Sequence, residues 1–193
     1  MERTRTTSEA RQRILETADR LFYQDGIRAV GIDRIIAEAG VAKMSLYKHF
    51  PSKDDLILAV LKYREEAVLE FFRSAMERHG KKAKTPLRAF FAALKDFFES
   101  PGFRGCPFQN AAVELADPNH PGTEFVRGHK QRFSEFLRGL VEETVGKAAV
   151  KVAPAVFILV EGAIVTSVIQ GNSDAADVAR DAALKLVGEE KGV

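Results

Sequence analysis

The chain has 193 residues, 46% hydrophobic and 29% charged, enough for one large domain or for a small domain attached to a larger one. A formal net charge of only +2 excludes a strongly basic nucleic-acid protein as a whole-chain description, while leaving local basicity open. A lone cysteine, Cys106, excludes an internal disulfide framework and suits a reducing cytoplasm, and the polar start MERTRTTSEARQR has no apolar signal core.

Nearly every segment reads as helix and no alternating strand pattern stands out, so the expected fold class is all-α, with about nine helices. Residues 1–8 form a Thr/Arg-rich arm, in which Arg3 and Arg5 either reach a minor groove or belong to a solubilising tail. Ser8 is expected to cap a first helix with Ile14, Ala18, Leu21 and Phe22 on one face, ending at Asp25-Gly26. A second helix is expected over 32–39, with Gly31 as N-cap, Val30 and Ile35 at the staple positions, Asp33 in the first turn and Gly40 at its end. A third follows at 43–50. Ser52 and Asp55 have capping-box spacing and open a long fourth helix to about His79, with an apolar stripe of Leu56, Val60, Tyr63, Ala67 and Phe71.

Thr85-Pro86 opens a Phe-rich fifth helix, because proline suits the first helical position. A short helix near 108–116 follows the PGFRGCP loop, and the breaker DPNHPG precedes a long helix over 122–145. That helix carries Phe125, His129, Phe133, Phe136 and Leu140 on one stripe. The last two helices are expected at 152–170 and 174–188. The longest apolar stretch, 152–169, is interrupted by Pro154, Glu161, Thr166 and Ser167. A spanning helix needs about 20 mostly apolar residues and a mid-span carboxylate is costly. The stretch therefore reads as a buried or interface helix, with no membrane partner expected.

The second and third helices, joined by a tight turn at Gly40-Val41, have the layout of a helix-turn-helix, whose second helix enters a DNA major groove. Leu46 and Phe50, four apart, fix the inward direction. Met44, Ser45 and Lys48 then point outward, with Tyr47 and His49 on the flanks. Residues 43–45, at the helix N-terminus, are placed for base edges, and Tyr47, Lys48 and His49 for phosphates. An ordinary solvated helix is the plainer alternative.

The stretch GVAKMSLYKHFPSKDDL, preceded by GIDRIIAEAG, resembles the DNA-binding domain of TetR-family repressors over about residues 10–57. The resemblance implies a three-helix DNA-binding domain, taken as 1–51, followed by an all-helical ligand-binding and dimerisation domain, 52–193. It implies DNA contacts from the positions of Lys43, Ser45, Tyr47 and His49, and a phosphate contact from Lys53. Gly31 and Ala42 stand where the family commonly has Thr or Ser, which predicts a recognition helix less rigid than usual without DNA. Met44 is bulkier than the glycine common there and suits a thymine methyl.

The resemblance is weaker beyond residue 57. Of the 14 phenylalanines all but Phe22 and Phe50 lie at or beyond position 71, a composition that fits either a helical core or a small-molecule pocket. Candidate lining residues are Phe98, Phe108, Asn110, His129, Phe133 and Glu161, with Glu114 on the same short helix as Asn110. His129 is either a satisfied core group or a ligand contact. Glu161 binds ligand, pairs across a dimer or faces water. Cys106 is either an inert small side chain or, two residues after Arg104, a redox sensor. No metal spacing, cofactor loop or catalytic signature is present. The family resemblance makes the last two helices, with Ala176, Ala179 and Ala183 on one stripe, a homodimer interface. The expected protein is a cytoplasmic, homodimeric, ligand-responsive repressor of double-stranded operator DNA. The alternatives are an activator or ligand-independent regulator of the same fold, or a helical small-molecule carrier; an enzyme is not expected.

Overall fold

The computed structural model describes residues 2–189, with side chains over 9–147 and 150–189. Among the described residues the chain is helical and has no strand: α1 (Glu2–Asp25), α2 (Ile32–Ala39), α3 (Lys43–His49), α4 (Lys53–Gly80), α5 (Pro86–Phe98), α6 (Pro107–Leu115), α7 (Pro121–Val145), α8 (Ala153–Gln170) and α9 (Asp174–Leu186). A 3-10 segment, Lys147–Val152, leads into α8 and was not anticipated. The expected start of the first helix needs correction. The backbone of residues 2–8 continues α1, so Ser8 lies inside a helix and is not its cap. That stretch contains neither Pro nor Gly, and nothing in it opposes helix propagation. The side chains of Arg3 and Arg5 lie outside the described residues.

Two compact units form: Met1–Ala67 with Pro107–Gly128, and Val68–Cys106 with His129–Val193. They differ from the expected division at residue 51, because the first half of α4, α6 and the start of α7 fold with the three N-terminal helices. In the first unit α1 packs on α2 and α3 around Ile14, Leu21, Val30, Ile35, Leu46 and Leu56, all fully buried. Gly31 opens α2 with an extended backbone and no side-chain cap. Gly40 closes it in the left-handed conformation (φ 62°), so that Gly40 and Val41 N–H groups bond back to the carbonyls of Ala37 and Ile36, the Schellman arrangement. The start of α4 is capped as its spacing predicts: Asp55 N–H donates to Ser52 Oγ (3.0 Å), and that hydroxyl donates to Asp55 Oδ2 (2.7 Å). Aspartate, one methylene shorter than glutamate, takes the hydroxyl here.

In the second unit α8 packs along α9 and α5 along α9. α8 belongs to a 21-residue apolar segment, Val150–Gln170, long enough to cross a membrane by length and composition. Here it buries Val156, Val160, Ala163 and Ile164 against its neighbours. Two side chains leave their expected stripes: Ala67 on α4 is exposed, and Phe136 on α7 is 43% exposed.

Candidate functional site

α3 is only seven residues long, too short to be stable alone. Tertiary anchoring holds it: Leu46 is fully buried, Phe50 nearly so, and the Arg11 guanidinium of α1 lies 5.2 Å from the Phe50 ring centre. Its N-cap, Ala42, has an extended backbone and offers no side-chain bond, so the Ala42 carbonyl alone receives the first N–H groups, from Ser45 and Leu46. The opposite face is open. Met44 is 86% exposed and Tyr47 42%, and Lys43 and Lys48 are exposed beside them, with Ser45 and His49 half-buried. A methionine left in water at the start of a helix contributes nothing to this unit's own packing.

The surrounding charges are arranged in short links. Arg34 of α2 reaches Asp25 and Glu38 (2.8 Å each), and Arg20 reaches Glu38 (2.6 Å), bracing α1 to α2. Lys43 Nζ lies 3.2 Å from Asp33 Oδ1 in a well-exposed pair of little strength. Burial pulls the His49 imidazole below its ordinary titration range, and the nearby Lys48 and Arg11 cations add to the effect. Lys53 donates to the Ile27 carbonyl (2.7 Å) and sits 5.8 Å from the Phe22 ring centre. Burial lowers its pKa, against the pull of Asp54 and Glu114. It therefore fastens the start of α4 to the turn after α1. Glu114 of α6 completes that turn by accepting the Arg28 N–H (3.2 Å). Gly26 is required there: its φ is +93°, and a Cβ would lie 2.8 Å from Glu114 Oε2.

The six candidate lining residues fall in different units. Phe108 and Asn110 stand on α6 in the first. Phe108 is fully buried, whereas Asn110 lines a small open cleft with Phe22, Ile27, Ile57, Leu61 and Glu114. Arg64 and Asp19 border it as a two-pronged ion pair (2.7 and 2.6 Å), with the guanidinium 4.6 Å from the Tyr23 ring centre.

Phe98, His129, Phe133 and Glu161 belong to the second unit, whose interior is a connected aromatic network. Phe98 meets Phe103, Phe103 meets Phe97, and contacts run on through Phe72 to Phe90. Phe90 touches Phe133, which stacks on His129 (6.5 Å, 9°) and meets Phe157. Glu161 does not face water: its Oε1 receives Lys130 Nζ at 2.7 Å, with both side chains 18% exposed. The same ammonium lies 3.4 Å from the Sγ of buried Cys106 and 5.8 Å from the Phe133 ring centre. Sequence reasoning missed Lys130. The available signal was a carboxylate in the most apolar helix, which demands a cation somewhere in the fold.

On α9 the alanines 176, 179 and 183 are buried within the chain's own unit. The aliphatics left exposed on α8 and α9 are Ile158, Val165, Val168, Ile169, Val178 and Leu186.

Comparison with known proteins follows this geometry. Residues 14–60, which span α2 and α3, match the family model "Bacterial regulatory proteins, tetR family". Residues 83–183 match "Tetracyclin repressor-like, C-terminal domain". The chain is similar to the Bacillus subtilis HTH-type transcriptional regulator LmrA, 28% identical over 169 residues, covering 86% of this chain and 89% of LmrA. It is also similar to the Mycolicibacterium smegmatis HTH-type transcriptional activator FasR, 39% identical over 98 residues, covering 50% of this chain and 44% of FasR. Among solved structures it resembles SCO4454, a TetR-family transcriptional regulator from Streptomyces coelicolor, with TM-score 0.82, 35% identity and coverage of 95% of this chain and 97% of that one. A helix-turn-helix layout with an open face on α3, the two family matches and that near-complete likeness agree: the chain belongs to the TetR family of transcriptional regulators.

Proposed function

We propose that the protein is a homodimeric repressor, located in the cytoplasm, that leaves its operator when a small, largely hydrophobic effector binds. The observation that carries the reading is the polarity of α3: Leu46 and Phe50 seal one side, while Met44 and Tyr47 project from the other. Lys43, Met44 and Ser45 read base edges. Tyr47, Lys48 and His49 hold phosphates, and Lys53 joins them by exchanging the Ile27 carbonyl for a phosphate oxygen. Half-sites in such dimers lie about 34–36 Å apart or at multiples of that spacing. The exposed aliphatics of α8 and α9 support a dimer through these two helices. Phe98, His129, Phe133 and Glu161, with Phe108 and Asn110 on α6, are the candidate effector contacts. Effector binding acts through α4, which begins three residues after α3 closes at Phe50, by favouring one of two head positions.

The test is operator binding after genomic operator selection. Lys43→Ala with Tyr47→Ala is expected to weaken binding by more than about 10-fold, since a lost base-edge contact alone costs about 1–3 kcal/mol and the lost phosphate contact adds to it. Unchanged affinity in a folded dimer would sink the assignment. FasR, an activator with 39% identity over 98 residues, supports the second reading, an activator of the same fold. Transcript levels of the neighbouring genes on deletion separate the two: a rise marks a repressor, a fall an activator.

A further inference from the structure

The first residue of α3 is joined to an acid. Asp33, in the first turn of α2, has 86% of its side chain in water, and its Oδ1 accepts from Lys43 Nζ at 3.2 Å. Lys43 begins the run of three residues placed for base edges and is itself 63% exposed. The other two lysines proposed for DNA contact are held differently. Lys48 is exposed and pairs with no carboxylate among the described residues, and Lys53 donates to a neutral group, the Ile27 carbonyl. Of the three, Lys43 alone is matched by an opposite charge.

A carboxylate is the wrong charge to set beside a phosphate backbone, so its position calls for a reason. In water the pair is weak, because both groups are well solvated. Against a DNA groove water is excluded and the effective dielectric falls, which strengthens the same contact. An ammonium matched in this way adds no net charge to attract phosphates. It still has N–H groups to give, since lysine carries three and Asp33 takes one. In the major groove those groups meet acceptor edges, above all O6 and N7 of guanine.

We infer that Asp33 is a specificity-determining residue of the DNA-binding face: it withholds the Lys43 charge from phosphates and leaves the remaining N–H groups of that lysine for guanine edges. An acid in the first turn of α2 also suits the helix dipole, but that role needs no lysine and favours no DNA sequence. The inference rests on α3 entering the major groove.

The experiment compares the full-length wild type with Asp33→Asn on the selected operator and on a scrambled duplex of equal length, over a series of salt concentrations. Asparagine keeps an oxygen for Lys43 and removes the charge. The variant is expected to bind the scrambled duplex about fivefold more tightly, with a log–log salt slope steeper by about 0.9, the mark of one more phosphate contact. Operator affinity is expected to change little, because the lysine exchanges a base contact for a phosphate. The ratio of operator to scrambled affinity then falls about fivefold. In a Lys43→Ala background Asp33→Asn is expected to leave that ratio unchanged. Circular dichroism checks the fold; should asparagine disturb α2, Asp33→Ser repeats the comparison. A ratio that stays the same or rises in Asp33→Asn overturns the inference. An equal fall in the Lys43→Ala background also overturns it, since the acid would then act without its lysine. Loss of operator binding in Lys43→Ala/Tyr47→Ala beside an unchanged ratio in Asp33→Asn leaves the DNA-binding reading standing. Retained binding in that double variant removes the reading itself, so the two failures are distinguishable.

Discussion

The two compact units put their side chains to opposite use. In the first, a small buried set centred on Leu46 and Phe50 holds a seven-residue helix so that its other face is left to water. In the second, phenylalanines from four helices and the loop after α5 fill the interior, and a half-buried ion pair sits among them. The head's chemistry is legible on its surface, residue by residue. The second unit's chemistry is a property of its interior, where a side chain's role depends on which others surround it. Recognition of a polymer with a fixed groove needs projecting groups at set spacing. Recognition of a small molecule needs a concave, mostly apolar enclosure with few polar groups.

Three measurements sharpen or break this contrast. The largest effect is expected from Phe90→Ala in the second unit. Phe90 is fully buried and meets Phe72, Phe91, Phe133 and Phe136. Urea unfolding should show a loss of about 3–5 kcal/mol, the usual cost of truncating a core phenylalanine. A loss below about 1 kcal/mol would mean that the aromatic network is loosely packed and the contrast overstated.

Next comes Glu161→Gln, which leaves Lys130 without its carboxylate in a mostly buried place. The expected loss is about 2–3 kcal/mol, below the full cost of breaking a buried pair because both side chains retain some exposure. Replacing both partners together, Lys130→Met with Glu161→Leu, should recover most of it by thermal unfolding. If the double variant is no better than the single one, the pair is not an isolated charge couple and Cys106 or His129 shares in it.

The smallest effect is expected in the head. Ala42→Ser supplies the missing N-cap oxygen of α3 and should stabilise that helix by about 1 kcal/mol. Hydrogen exchange would read it as slower opening of the Ser45 and Leu46 amides, with α1 unchanged. Equal protection of α1 and α3 in the unaltered protein would show that tertiary anchoring already overrides the poor cap.

Helix boundaries were legible because their punctuation is local. Gly40 in the left-handed conformation, the Ser52–Asp55 cap and Pro86 at a helix start act over three or four residues. The outward set on α3 was legible because two large apolar residues four apart define a direction. The first helix was misjudged at its N-terminus because Ser8 is a competent cap that nothing compels to act as one. The alanine stripe of α9 resembles an exposed interface in sequence. Packing against α8 and α5 instead buries it, since small side chains serve close approach within a chain as readily as between chains.

By itself the sequence determined an all-helical chain, the position of its helix-turn-helix and which side chains that motif presents, because these depend on periodicity and short-range capping. Only the tertiary structure decided that Glu161 meets Lys130, that Lys53 is held at the Ile27 carbonyl, and that α6 folds with the head. It also brought His120 against Asp54. Each of those joins residues far apart in the chain, and a pairing of that kind is set by how helices pack, which no local pattern encodes.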